Sequence, residues 1–144
     1  MKSQRKKKIQ DAPSSFVSDT DTYQLSKSTS YLPSTLSYAA FKVILDTHAL
    51  TVAEWASLLQ LSERTMHRFA KENLSFNALE SERIALLHQA LLQANQLFGN
   101  TTKQWLLGHS YGFNGLQPIQ YLYTHAGIMH VQRVLTNIQY GVVV

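Results

Sequence analysis

Six side chains between positions 62 and 71 are of the types that meet nucleic acid: Ser62, Arg64, Thr65, His67, Arg68 and Lys71. Arginine pairs bidentately with a guanine edge or a phosphate. Hydroxyls and imidazole take single hydrogen bonds, and lysine neutralises phosphate charge. Catalysis has less to work with. Glu82 is the last acidic residue, and from Arg83 to Val144 there is no Asp or Glu. Acid–base pairs, Ser-His-Asp arrangements and mixed His/carboxylate metal sites all need a carboxylate. His109 and Ser110 adjoin, but no downstream acid can orient the imidazole. None of the six histidines forms a pair four residues apart on a helix, and His125 and His130, five apart, are poorly spaced for a shared metal ion. The stretch "GHSYGFNG" has no phosphate-loop lysine and follows no strand. The expectation is a binding protein, not an enzyme, with no cofactor and no metal.

The elements that must hold the six side chains follow from apolar spacing and capping residues. Thr51 with Glu54 three residues later is a capping box, and Val52, Trp55, Ala56 and Leu59 then share one helical face. Gln60 and Leu61 make a tight turn, and Ser62 starts a second short helix with Met66, Phe69 and Ala70 inward. That is the layout of a helix-turn-helix, and its polar face suits a major groove. The same face, only mildly positive, also suits a plain helical pair wetted by solvent. Upstream, Leu36, Ala39, Ala40, Val43 and Ile44 recur at helical spacing. Downstream, Asn77 can cap a long helix that Gly99 ends, and Asn100 or Thr101 a short one closed by Gly108. Pro118 suits the first turn of another helix. In the last helix Ile128, Val131, Leu135 and Ile138 are spaced 3, 4 and 3, and Gly141 can stop it. No segment alternates as a strand does. The chain therefore reads as all-α, a bundle in two intimate parts that meet at the long helix.

Charge divides the sequence unevenly. Residues 1–30 hold six Lys/Arg and three Asp, whereas residues 31–144 hold seven Lys/Arg and six Asp/Glu. Residues 1–32 read as a disordered or flexible basic tail with no apolar run of the secretory kind. There is no cysteine and no run long enough to span a membrane, which fits a cytoplasmic protein. The half beyond Glu82 has only Arg83, Lys103 and Arg133 as cations, and such charge depletion is what the core of an interface looks like. The sequence closes on Gln139, Tyr140, Gly141, Val142, Val143 and Val144. Three consecutive valines favour an extended strand over further helix, and an extended tail can dock in a partner's groove. Packing back on the body is the other course open to them.

The ordered set "ANQLFGN", "WLL", "GLQPIQYL", "THAG", Val131, Leu135 and "IQYG" between Ala94 and Gly141 resembles the toxin-binding domain of Xre/MbcA/ParS antitoxins. The upstream "LSERTMHRFAKENLS" is similar to the Xre-type helix-turn-helix of the same antitoxins. The resemblance implies an Xre-like helix-turn-helix domain over 33–76 fused to a small helical toxin-binding domain over 77–144. It implies a type II antitoxin that binds a cognate RES-domain, NAD-degrading toxin, blocks that toxin's active site with its C-terminal segment, dimerises, and represses its own operon at operator DNA. The alternative is a stand-alone dimeric helix-turn-helix repressor whose charge-poor half only dimerises. "GHSYGFNG" departs from the family pattern, which often has a proline-rich turn there, and no acidic residue stands near "THAG". Trp105 and Leu106 are expected to pack against the last two helices, beside Leu122 and Leu135.

Overall fold

The computed structural model describes residues 35–142, so the basic tail, Val143 and Val144 lie outside it. The regular elements of the described chain are all helices: α1 Tyr38–Thr47, α2 Val52–Leu59, α3 Glu63–Glu72, α4 Ala78–Phe98, a 3-10 turn Gly99–Thr101, α5 Thr102–Leu107, α6 Pro118–Tyr121 and α7 His125–Gln139. Among the described residues no strand forms. One isolated antiparallel bridge joins Ser37 to Ser75, with the Tyr38 amide donating to the Leu74 carbonyl at 2.9 Å and the Phe76 amide to Leu36 at 2.8 Å. This bridge ties the entry of α1 to the exit of α3. No described helix is long and apolar enough to cross a membrane.

Helix starts fall where capping chemistry puts them. Thr51 and Glu54 exchange both bonds of a capping box at 2.8 and 3.1 Å. Asn77 and Glu80 do the same at 3.0 and 2.7 Å. Ser62 accepts from the Thr65 amide at 3.0 Å and Thr124 from the Gly127 amide at 2.9 Å. Each satisfies an orphan donor of a first turn.

The N-terminal half packs around aromatic rings. Phe41 meets Trp55 edge-on at 5.3 Å and Phe76 at 5.2 Å, and Phe69 meets Phe76 at 5.0 Å. The inward stripe of α1 is therefore Tyr38, Phe41 and Leu45. It is not the Leu36, Ala39, Ala40, Val43, Ile44 set: Val43 is 67% exposed, Ala39 and Ala40 are exposed, and Leu36 and Ile44 are only partly buried. Both sets have helical spacing, and the one carrying large rings wins because each ring buries far more apolar area than alanine. On α3, Met66 is buried and Phe69 half-buried, but Ala70 faces solvent.

The 21-residue α4 is the wall shared by both halves. It contacts α2 on one side and α5 and α7 on the other. Its stripe of Ile84, Leu87, Leu91 and Ala94 is buried. Helices α4 and α7 run side by side in the same direction, with Arg83 and Leu86 beside His125 and Ile128, and Gln93 donating to the Thr136 hydroxyl at 2.9 Å. Gly127 lets α7 start against α6, because a side-chain carbon there would run into the Tyr121 carbonyl. Leu106, Leu122 and Leu135 are buried as expected. Trp105 is only half-buried, stacked on Phe98 at 4.9 Å and edge-on to Phe113 at 5.8 Å, with its indole N–H donating to Ser110.

Candidate functional site: a helix-turn-helix and a charge-poor helical face

Helix α2 ends with Gln60 in the left-handed region, φ 61° and ψ 38°. The Gln60 amide returns to Ser57 and the Leu61 amide to Ala56, closing the last turn. Leu61 is half-buried against the core, which fixes the angle at which α3 leaves. Arg64, His67, Arg68 and Lys71 are all exposed, and their spacing of three and four puts them on one face of α3. The Arg68 guanidinium sits over the Phe69 ring at 5.5 Å. Ser62 and Thr65 are partly spent on the cap itself: the Ser62 hydroxyl donates to the Thr65 hydroxyl at 2.9 Å. Glu63 in the first turn and Lys71 in the last complement the helix dipole. Thus four of the six candidate side chains form one free polar surface, and the other two build the end of the helix that carries it.

At the other end of the described chain α7 finishes through Gly141, whose φ is 73°. The Val142 amide reaches back to the Asn137 carbonyl at 2.7 Å and the Gly141 amide to Ile138 at 3.1 Å. This is a glycine stop that turns the chain off the helix axis. Gln139 is exposed, Tyr140 is 73% exposed and Val142 52% exposed. The described end of the chain is therefore presented to solvent and not folded over the body.

Residues 31–87 match the family model of the antitoxin Xre-like helix-turn-helix domain, and residues 93–141 match that of the antitoxin Xre/MbcA/ParS C-terminal toxin-binding domain. The two occur in order and together cover most of the chain. This chain belongs to the Xre-type antitoxins. The helix-turn-helix match takes in α1 to α3 and the first half of α4, and the toxin-binding match takes in the end of α4 and the charge-poor helices after it. A comparison with curated proteins finds no match.

The antitoxin's three downstream cations each have a task that the sequence did not reveal. Arg83 on α4 donates through Nε to the Leu58 carbonyl at 3.1 Å and through its terminal nitrogen to the Tyr123 carbonyl. It thereby caps the end of α2 and holds the loop before α7. The Ser57 and Tyr123 hydroxyls meet at 2.8 Å beside it. Lys103 on α5 pairs with Glu54 on α2 at 3.2 Å. Burial would raise the Glu54 carboxyl, but the Thr51 amide and the Lys103 ammonium outweigh it and hold the group below its usual pKa. Arg133 donates to His130 Nδ1 at 3.2 Å, and His130 Nε2 donates to the Gly112 carbonyl at 2.7 Å. The DNA-binding and toxin-binding modules of the antitoxin are thus bolted together by polar contacts across α4.

A part-buried polar chain also escaped the sequence reading. Asn95 on α4 donates to His48 Nδ1 at 3.1 Å, and His48 Nε2 lies 2.8 Å from His88 Nδ1. Since the amide nitrogen can only donate, His48 accepts at Nδ1 and donates from Nε2. Burial, reinforced by the His88 ring, pushes the His48 pKa down from 6.5 to about 4, and burial lowers that of His88 as well. No spacing rule links residues 40 and 47 positions apart. Only the fold brings them together.

Proposed function

We propose that this antitoxin neutralises a cognate RES-domain, NAD-degrading toxin in a type II system, and that the segment from Gln139 onward enters the toxin's active site and blocks substrate entry. The observation that carries the reading is the end of α7. Gly141 turns the chain outward, and Tyr140 and Val142 stand exposed at the edge of the matched toxin-binding module. A short apolar segment leaving such a helix end suits a groove in a partner. The polar face of α3, with Ser62 and Thr65 building its cap, contacts operator DNA and represses the antitoxin's own operon. Two half-sites call for a homodimer within the larger complex. The division falls near residue 76, with helix-turn-helix over 33–76 and toxin-binding domain over 77–144. The work is done by binding in the cytoplasm, without catalysis or cofactor.

The test is a chain that stops at Gly141. It is checked for native melting, then mixed with purified RES-domain toxin and NAD. Lost inhibition with an intact fold supports the plug. Full inhibition by the shortened chain leaves the helical body as the inhibitor and overturns the plug.

A further inference from the structure

The family match assigns a toxin-binding domain but no contact face. We propose that the toxin docks along one ridge of α7 that runs from the loop at Tyr111, past Arg133, to Tyr140, and that it meets Arg133 with a carboxylate. This rests on the reading of the chain as an antitoxin and adds where the body binds and what the partner presents there.

Tyr111 is 74% exposed and Tyr140 73% exposed, so two large rings stand free in one module. They are not scattered. His130 and Arg133 stand three apart on α7, on neighbouring positions of one face, and Tyr140, seven residues on, is the residue that caps the end of that helix. The Tyr111 loop is fastened to the near end of that face by the His130 bond to the Gly112 carbonyl at 2.7 Å. From His130 to Tyr140 the ridge runs about 15 Å. The loop is held from beneath by Phe113, fully buried, edge-on to His130 at 5.3 Å. Tyr111 is therefore presented by an anchored loop, and a rigid aromatic loses little entropy on binding.

Arg133 sets the partner's chemistry. Because Nε2 of His130 donates to a carbonyl, its Nδ1 accepts one Arg133 N–H at 3.2 Å. The other guanidinium donors face solvent on an exposed side chain. No acidic residue lies anywhere from Arg83 to Val144, so no acidic side chain of α5, α6 or α7 competes for them. Of the other two cations, Lys103 is paired with Glu54 and Arg83 is spent on two carbonyls. A charge-poor face with one oriented arginine between two tyrosines complements an acidic group flanked by apolar sockets. Tyrosine and arginine are also the side chains that dominate binding hot spots. The ridge ends at Gly141, where the blocking segment departs, so body and tail would engage the toxin continuously.

The experiment measures the affinity of the full chain and of Tyr111→Ala, Arg133→Ala and Arg133→Glu for the purified RES-domain toxin at low and high salt. Each variant is first shown to melt as the parent does. Each is expected to bind about tenfold or more weakly, with Arg133→Glu the weakest. The parent's affinity should fall with salt more steeply than that of Arg133→Ala. Parent-like affinity in all three variants, with the parent itself binding tightly, overturns the ridge and leaves the antitoxin function standing. A parent that does not bind the toxin at all overturns the function itself. Sedimentation of the free proteins decides the remaining occupant: if Arg133→Glu alone dissociates a homodimer, the ridge belongs to a second copy and the proposal is wrong.

Discussion

Acidification should weaken this fold through the part-buried histidine chain, which sets the window. In the native state His48 takes its proton only near pH 4, whereas in the unfolded chain it does so near 6.5. A depressed native pKa on a histidine means that the unfolded state binds protons first. Stability is therefore complete above about pH 7 and is lost as pH falls from 6.5 towards 4. At pH 5 the unfolded form is almost fully protonated at this site and the native form hardly at all. That difference amounts to ~2 kcal/mol for His48 alone, trimmed towards ~1 kcal/mol by the residual solvent access of the pair. His88 shifts in the same direction and adds to the loss. The cause is burial of the His48 ring, reinforced by the neighbouring His88 ring, and a proton added at Nδ1 would also lose the bond that this atom accepts from Asn95 at 3.1 Å. Glu54 does not confuse the measurement. Its pKa is held below the usual carboxylate value, so its stabilising contribution is intact above about 4.5 and is lost only as pH falls from there, at the foot of the histidine window. Urea unfolding followed by tryptophan fluorescence across this window reads the effect, and His48→Gln, which cannot titrate, should flatten the profile. A stability that stays level down to pH 5, or an equal slope in His48→Gln, would falsify the linkage.

Arg64→Ala with Arg68→Ala should abolish operator shifts in a gel assay while leaving the melt unchanged, since each lost arginine–guanine pair costs about 1–3 kcal/mol; unaltered shifts would move DNA contact off α3. Arg83→Met keeps the aliphatic stem but removes donors from the Leu58 and Tyr123 carbonyls, and should cost about 2–3 kcal/mol in chemical unfolding. An unchanged midpoint would mean that Arg83 does not fasten the two modules. Gln60→Gly should stabilise by about 1 kcal/mol, because a residue with a side chain there pays for its left-handed backbone; a lower melting temperature would contradict that.

What the sequence made legible was local. Caps at Thr51, Ser62 and Asn77, the glycine stops at Gly99 and Gly141, and the proline at Pro118 all act through neighbours within a few residues, so spacing reveals them. The face of α1 was not legible, because Tyr38, Phe41 and Leu45 compete with a second stripe of the same period and only the pocket formed by Trp55 and Phe76 chooses between them. The same holds for the polar ties. Arg83 acts on carbonyls 25 and 40 residues away, and His48 on partners 40 and 47 away. One sequence signal did point at them: in a half with no acidic residue, three cations remain, and each makes a defined contact. Exposure was the other hidden quantity. Tyr111 read as one more aromatic among many until the fold left it standing in solvent, whereas Tyr140 already belonged to the closing segment singled out in the sequence.

The most direct test of the account is a titration of purified RES-domain toxin with the full chain while NAD consumption is followed. The account predicts that turnover falls to background at a fixed molar ratio and stays there as more antitoxin is added. Undiminished NAD turnover in the presence of excess folded, operator-binding protein would contradict it.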